Sequence, residues 1–153
     1  MVKTYWEKAA AFHGHECGGL ALGVRAAVYA VERLGIQFSE DEAIVCVTEN
    51  DACGVDGIQS ILSCTMGKGN LIYHGTGKMA FNFYNRRSVE SFRMIAKPKG
   101  ARGSSQSYID FVLEGPIEEV YDIGEVRYQL PEPARKMDTV VCQICGEGAP
   151  DVK

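Results

Sequence analysis

Three side chains that can bind a metal lie within five residues near the amino terminus. The run His13-Gly14-His15-Glu16-Cys17 offers two imidazoles and one thiol, the groups from which zinc, iron and nickel sites are built. The chain has three histidines, and two of them belong to this run. Because glycine favours a turn here, the alternate residues 13, 15 and 17 can all face one point. The run therefore indicates a metal site.

Two further cysteines are candidate ligands. Cys53 lies in a polar loop between a predicted strand and a predicted helix, where a rigid scaffold holds functional groups yet leaves them accessible. Asp51 and Asp56 flank it, and Cys64 falls near the carboxyl end of the helix. A single cysteine is otherwise more often a small core side chain than a ligand. Cys46, which lies inside an apolar strand, is expected to be such a core side chain.

The last two cysteines form a Cys-x-x-Cys pair, Cys142 and Cys145, followed by Gly146. Two thiolates on a tight turn make half of a zinc site, and glycine lets the backbone aim its N–H groups at sulfur. Eight residues follow Cys145, and none is Cys or His. The remaining ligands are therefore expected from elsewhere in the chain or from a second chain. A dithiol redox pair and an empty half site are the alternatives.

Composition limits the class of protein. The chain has 153 residues, 46% of them apolar and 24% charged, which is ordinary for a globular domain. A net charge of −4 without a basic cluster argues against a nucleic-acid partner. No apolar stretch approaches the ~20 residues of a membrane span, and no secretory signal is visible. Six cysteines without such a signal predict a reducing, cytoplasmic location.

The elements that must position these groups follow from hydrophobic periodicity. Apolar residues at three- and four-residue intervals predict a long amphipathic helix from Gly18 to Leu34, closed by Gly35. Further helices are expected at 3–11, 55–65 and 108–113, and strands at 43–47, 71–73, 78–84, 89–95 and 125–130. A break rich in Lys, Gly and Ser covers 97–107. This order predicts an α+β fold, with helices packed on a largely antiparallel sheet.

Two units are expected along the chain. Residues 1–130 would form the α+β core that carries the His/Cys site. Pro131 and Pro133 mark a linker, so residues 131–153 would form this linker and a truncated tail that resembles a zinc knuckle.

Taken together, these motifs resemble the family named for the E component of formylmethanofuran dehydrogenase, small proteins of anaerobic archaea and bacteria. The ordered combination spans most of the chain and is specific, although each piece alone is short. The matching stretches are His13–Arg25, Asp51–Gln59, Ser63–Leu71, Gly77–Phe81 and Cys142–Glu147. Longer relatives carry a second cysteine pair in the tail.

The resemblance implies a metal-binding α+β core, with zinc as the expected ion, and a cysteine-bearing carboxyl-terminal module. It implies a homodimer whose cleft, near the glycine turn, lies at or beside the interface between the two protomers. The family name describes association with a tungsten- or molybdenum-dependent enzyme that reduces carbon dioxide to a formyl group. Oxidoreductase subunits are therefore the implied partners, and the name does not assign an activity to its bearer.

The leading hypothesis is a metal-dependent protein with its site in the core cleft. His15 and Cys17, with His13, Cys53 or Cys64, would hold zinc or another divalent ion such as nickel or iron. An open position on the ion would activate water, a substrate thiol or a formyl group in hydrolytic or one-carbon chemistry.

Three residues are candidates for catalysis at this site. Cys17 would act through the metal, and Asp56 and Lys78 would serve as acid, base or orienting groups, with Gln59 as a polar neighbour. The spacing alone is equally consistent with Lys78 being a solvated surface lysine. Two other functions stay open: a non-catalytic accessory or assembly protein, and a thiol redox protein that uses Cys142 and Cys145.

Overall fold

Five helices and seven short strands are interspersed along the described part of the chain. The protein is described here by a computed structural model, which covers residues 2–36, 41–98 and 105–151. The helices are α1 (Val2–His13), α2 (Gly18–Leu34), α3 (Gly54–Leu62), α4 (Ser105–Glu114) and α5 (Ile117–Val120). The strands are β1 (Ile44–Thr48), β2 (Leu71–Tyr73), β3 (Ala80–Asn85), β4 (Ser91–Ala96), β5 (Tyr121–Gly124), β6 (Thr139–Val141) and β7 (Gly148–Pro150).

Five of the strands form one sheet in the order β2-β1-β3-β4-β5. Strand β1 is parallel to β2 and antiparallel to β3, so that Val47 lies opposite both Ile72 and Asn82. The remaining pairs, β3 with β4 and β4 with β5, are antiparallel. The predicted α+β class with a largely antiparallel sheet is confirmed.

Apolar side chains cover both faces of this sheet. Phe81, Phe83 and Phe92 belong to a large core shared with the buried side of α2, because alternate residues of a strand point to one face. On the opposite face, a smaller cluster centred on Val45, Val47 and Tyr84 is covered by Val126 and Tyr128. The Tyr84 hydroxyl donates a hydrogen bond to the Tyr128 carbonyl at 2.7 Å.

Helices α2 and α3 pack unusually close together through glycine. A Cβ built on Gly23 would lie 1.9 Å from the Gly54 carbonyl oxygen, and one on Gly57 would lie 2.6 Å from the Val24 nitrogen. No side chain larger than hydrogen fits at these two points. The close packing sets the amino ends of both helices side by side, and that is where the candidate site lies.

The prediction of a strand at 125–130 is wrong. The strand in this region is β5, at Tyr121–Gly124, and the chain after it is irregular. The alternation that suggested a strand arises because Val126 and Tyr128 pack on the second face of the sheet. The strand predicted at 89–95 begins at Ser91 instead, since Val89 has a left-handed φ of 62° in the preceding turn.

Other boundaries are closer to the predictions. Helix α2 has the predicted limits, and left-handed Gly35 ends it. Helix α3 ends at Leu62 rather than residue 65, because Ser63 adopts a left-handed φ of 57°. Most of the predicted break at 97–107 falls on residues 99–104, which lie outside the described residues.

The carboxyl-terminal tail is a small hairpin. Strands β6 and β7 pair antiparallel, and the turn between them carries the Cys-x-x-Cys sequence. The preceding linker meets the core at the turn before β2, where the Ala134 Cβ lies 3.0 Å from a Cβ built on Gly69. Within the described ranges, no helix is long and apolar enough to cross a membrane.

Candidate metal centre

Two imidazoles and one thiol converge where α1 turns into α2. His13 is the last residue of α1, and Cys17 caps the amino end of α2. Gly14, with a φ of +91°, makes the turn between them. One ligand atom from each of His13, His15 and Cys17 lies within 4.8 Å of the others. The predicted trio is therefore a group of side chains that could hold a metal ion.

The imidazole of His13 is held from one side and unpaired on the other. Its Nδ1 lies 2.6 Å from Oδ2 of Asp56, in the first turn of α3. Because an ionised carboxylate only accepts hydrogen bonds, Nδ1 is the donor, and in the neutral imidazole Nε2 carries the lone pair. This Nε2 is buried and has no hydrogen-bond partner among the described residues. The arrangement matches metal-binding histidines, whose second nitrogen usually donates to a carboxylate.

Asp56 is itself fixed by a neighbour on the same helix. Its second oxygen, Oδ1, accepts a hydrogen bond from Nε2 of Gln59 at 3.2 Å. The sequence predicted both residues near the site. The structure gives Asp56 a specific position, as the partner that orients His13.

The thiol of Cys17 lies at the amino end of α2. Its sulfur accepts a hydrogen bond from the Leu20 N–H at 3.3 Å, and its backbone is extended, with φ −153° and ψ 162°. The free N–H groups and the helix dipole make such an end favourable for negative charge.

Cys53 adds a second thiol beside Cys17. It precedes α3 as Cys17 precedes α2, and both are half-buried. A Cβ built on Gly19, between them, would lie 3.8 Å from the Cys53 sulfur and 3.9 Å from the Cys17 sulfur. Burial raises the pKa of the Cys53 thiol, and a hydrogen bond with Cys17 raises this pKa further. Cys53 therefore lies beside Cys17, and its predicted role as a metal ligand stays a prediction.

The structure does not bring Cys64 to this group. Helix α3 has nine residues, about 14 Å in length, and Cys53 and Cys64 lie at opposite ends of it. Cys64 is fully buried, and its thiol donates to the Ile44 carbonyl at 3.6 Å. Burial raises its pKa to about 12. Cys46, expected in the core, is likewise fully buried.

Lys78 lies in the loop that precedes β3. It is exposed, and its carbonyl accepts a hydrogen bond from the side chain of Asn50 at 3.1 Å. Its ammonium has no hydrogen-bond or ion-pair partner in the described part of the chain. The contact with Asn50 joins the Lys78 loop to the loop that carries Cys53.

A buried ion pair that the sequence analysis missed fixes both loops. Nε and Nη2 of Arg93 donate to the two carboxylate oxygens of Glu49 at 2.6 and 3.0 Å, and both side chains are almost fully buried. The Thr76 hydroxyl and an amide hydrogen of Asn82 also donate to this carboxylate. Burial alone would raise the pKa of Glu49, but these hydrogen bonds lower it to about 2.

Its position at the end of β1 makes Glu49 an anchor. The Gly77 N–H donates to the Glu49 carbonyl at 2.9 Å, so the same residue holds the 74–78 loop through main chain and side chain. A charged residue directly after an apolar strand, with an arginine inside another apolar strand, was the signal available in the sequence.

A hydrogen bond from Trp6 holds the turn that carries His15 and Cys17. Nε1 of Trp6, in α1, donates to the carboxylate of Glu16 at 3.1 Å. Glu16 separates His15 from Cys17 in sequence, and this bond turns its side chain toward α1. Nothing in the sequence indicated the contact, because it depends on the path of the chain after Gly14.

The tail cysteines occupy a preformed knuckle. The Gly146 N–H donates to the Cys142 carbonyl at 2.9 Å, with Gly146 at a φ of +75°. Hydrogen bonds from the backbone at Cys145 and Ile144 lower the pKa of Cys142. The Cys145 thiol donates to a carboxylate oxygen of Glu147 at 3.4 Å. Among the described residues, His13, His15 and Cys17 form the one group of three or more potential metal ligands. Cys142 and Cys145 therefore have no third ligand beside them in this part of the chain.

The fold and site together define a small α+β protein with a candidate metal centre between two helix amino ends. The family model described as "FmdE, Molybdenum formylmethanofuran dehydrogenase operon" matches residues 12–122. This match includes the trio, Cys53, Asp56 and Lys78. The chain belongs to the FmdE family, which confirms the resemblance drawn from its motifs.

Two known proteins are also similar to this chain. A protein of Archaeoglobus fulgidus described as a probable S-adenosyl-L-methionine-binding protein is 30% identical over 173 aligned positions, which cover 92% of this chain and 47% of the relative. The chain thus spans about half the length of that protein. The solved structure of a tungsten formylmethanofuran dehydrogenase FmdE-like protein from Syntrophus aciditrophicus has a TM-score of 0.68, with 24% identity over 97% of this chain and 85% of that one. At this identity the likeness shows the fold.

Proposed function

We propose that this FmdE-family protein binds a divalent transition metal through His13, His15 and Cys17. Zinc is the first choice, because two imidazoles and a thiolate suit it, and nickel and iron are the alternatives. The observation that supports this proposal most strongly concerns His13. Its Nε2 is buried and has no hydrogen-bond partner among the described residues, while Asp56 binds the other ring nitrogen. Leaving such a group without a partner costs about 1–3 kcal/mol. A bound ion accounts for both nitrogens.

Three ligands from the chain would leave a fourth position on a tetrahedral ion. When bound, such an ion supplies a Lewis acid that polarises a carbonyl or lowers the pKa of bound water. Cys53 lies next to Cys17 and either takes that position or stands beside it. Asp56 would hold the His13 ring in place through Nδ1 and leave Nε2 for the ion. Lys78 offers an exposed ammonium on the adjoining loop. We propose hydrolytic or formyl (one-carbon) chemistry as the reaction class, in line with the operon for which the family is described.

The experiment compares metal content across matched histidine variants. His13→Ala and His15→Ala should each lose most of the core metal, whereas His74→Ala, which changes an exposed histidine stacked on Tyr128, should keep it. Metals per chain are counted by elemental analysis of freshly purified, tag-free protein in a Cys142→Ser, Cys145→Ser background. Equal metal content in all three histidine variants would overturn the proposal.

A second candidate function is a non-catalytic accessory or assembly role for the tail. The tail presents Cys142 and Cys145 with two exposed apolar neighbours, Val141 at 68% and Ile144 at 97% exposure. A second chain could supply the missing ligands of this half site, either a twin in a homodimer or a component of a cytoplasmic oxidoreductase. Light scattering with and without zinc tests the twin: a zinc-dependent rise in mass that Cys142→Ser abolishes is expected, and an unchanged mass would exclude it.

A further inference from the structure

Cys17 and Cys53 form a pair of thiols that the metal hypothesis uses only in part. Each precedes the amino end of a helix, and the glycine contacts between α2 and α3 fix those two ends against each other. Their sulfurs both lie within 4 Å of one point in space, the Cβ position of Gly19. Because the helices are packed through backbone at Gly23 and Gly54, the pair is held together by the fold rather than by side-chain flexibility.

Cys17 and Cys53 differ from the two core cysteines in their accessibility to solvent. Cys46 and Cys64 are fully buried, so solutes cannot reach them. Cys17 and Cys53 are half-buried, so a small oxidant can reach their exposed sides. The tail pair, Cys142 and Cys145, is also accessible, but it lies on a separate hairpin and can be removed by substitution.

We propose that Cys17 and Cys53 are a redox-active dithiol whose oxidation by a hydroperoxide expels the bound metal. This inference rests on the proposed function for the metal, and it assigns the site a second, two-electron chemistry. Cys17 is a proposed ligand, and a sulfur that joins a disulfide can no longer bind as a thiolate. Metal-bound and disulfide forms therefore exclude each other.

The chemistry balances with the hydroperoxide as the only co-reactant. The Cys17 thiolate attacks the terminal oxygen of ROOH, the O–O bond breaks, and an alkoxide leaves and takes up a proton as ROH. The resulting sulfenic acid is attacked by the sulfur of Cys53, the S–S bond forms, and hydroxide leaves while the thiol proton is released. In sum, one thiolate, one thiol and ROOH give one disulfide, ROH and OH⁻. The two sulfurs lose two electrons, which reduce the peroxide.

The test uses the zinc-loaded full chain carrying Cys142→Ser and Cys145→Ser, treated with one equivalent of hydrogen peroxide. Released zinc is followed with a chromophoric chelator, and disulfides are mapped by mass spectrometry of proteolytic peptides. One zinc should be released per disulfide formed, with peptides containing Cys17 and Cys53 joined and two hydrogens lighter. Dithiothreitol followed by zinc should restore the starting state.

Cys53→Ser and Cys53→Ala in the same background are the matched controls. Both should lose the cross-link and slow zinc release about tenfold or more, because no second thiol resolves the Cys17 sulfenic acid. Circular dichroism checks that both variants are folded, and two side chains of different polarity protect against a local packing artefact. Zinc release at the parent rate in both variants would overturn the inference. So would conversion of Cys17 to sulfinic acid without a cross-link in the parent, where Cys53 is present.

Failure of the metal proposal would look different. If the parent protein binds no zinc at all, the proposed function fails, and peroxide treatment of that metal-free protein still tests the dithiol by the same peptide cross-link. A metal-bound protein that forms no Cys17–Cys53 disulfide when oxidised would leave the metal proposal intact and remove this one.

Discussion

Asp56 accepts a hydrogen bond from the imidazole of His13 across 2.6 Å, which joins the end of α1 to the first turn of α3. The two residues are 43 positions apart in sequence. Their contact occupies Nδ1 of the ring and leaves the buried Nε2 as the nitrogen that is open to a metal ion.

Asp56→Asn should weaken metal binding by about 10–100-fold, the range seen when a carboxylate behind a metal-bound histidine is replaced. An amide keeps the size of the side chain but is a weaker acceptor for Nδ1. Competition against a chelator of known affinity measures the change in the dissociation constant. Asp51→Asn, at an exposed position in the loop that precedes α3, is the control. Equal affinities for the two variants would contradict the role given to Asp56.

Gly23→Ala should destabilise the protein and lower its metal content together. The added methyl would lie 1.9 Å from the Gly54 carbonyl, so α2 and α3 must separate, at a cost of about 1–3 kcal/mol or more. Urea unfolding measures the free energy, and elemental analysis measures the metal. Gly67→Ala, where no atom lies within 4 Å of the new methyl, should stay within about 0.5 kcal/mol of the parent. A stable Gly23→Ala protein would mean that the helices are not in contact there.

Because of Glu49, the free energy of unfolding should depend on pH in the acid range. Its pKa is lowered in the folded protein to about 2 from an ordinary value of 4.5, so the folded state favours the ionised form. The resulting stabilisation is present above the ordinary pKa and is lost as the pH falls from about 5 towards 2. Urea unfolding over this range should show a shallower pH dependence for Glu49→Gln than for the parent. Identical slopes would contradict the lowered pKa.

Removal of one partner of that ion pair should also be costly at neutral pH. Arg93→Met leaves the Glu49 carboxylate buried without its main donor, and such changes cost about 3–5 kcal/mol. The measurement is again urea unfolding. Arg87→Met, which removes an exposed partner of Asp41, serves as the control and should cost no more than about 1 kcal/mol.

Chelation should destabilise the parent but not a ligand variant. An ion that binds only the folded state adds about 2.7 kcal/mol at a free concentration of 100 times its dissociation constant. Thermal unfolding with zinc and after its removal should therefore give different midpoints for the parent and one midpoint for His15→Ala. A chelator effect that persists in His15→Ala would place the stabilising ion elsewhere in the protein.

The sequence predicted those elements whose own periodicity and end signals agree. Helix α2 was placed from Gly18 to Leu34 because its apolar stripe and the closing Gly35 both belong to that segment. The segment after β5 was mistaken for a strand because its alternating apolar residues pack on a sheet face without pairing. Period alone does not distinguish these two situations.

For the site, local sequence indicated the ligands but not their partners. His13, His15 and Cys17 are close in sequence, so a turn sufficed to bring them together. The hydrogen bond from His13 to Asp56 requires the packing of α1, α2 and α3, which no local pattern encodes. Cys64 looked equivalent to Cys53 in sequence, yet the length of α3 separates them. The glycines at 23, 54 and 57 were the one available hint of close helix packing.

X-ray absorption at the metal edge of the Cys142→Ser, Cys145→Ser protein reports the ligands of the core site, because only this site remains to bind an ion. For zinc, we expect two imidazole nitrogens at about 2.0–2.1 Å and one or two sulfurs at about 2.3 Å. His13→Ala should remove one imidazole from that pattern or abolish binding. A spectrum without sulfur, or one that His13→Ala and His15→Ala leave unchanged, would contradict a metal centre built on these three residues.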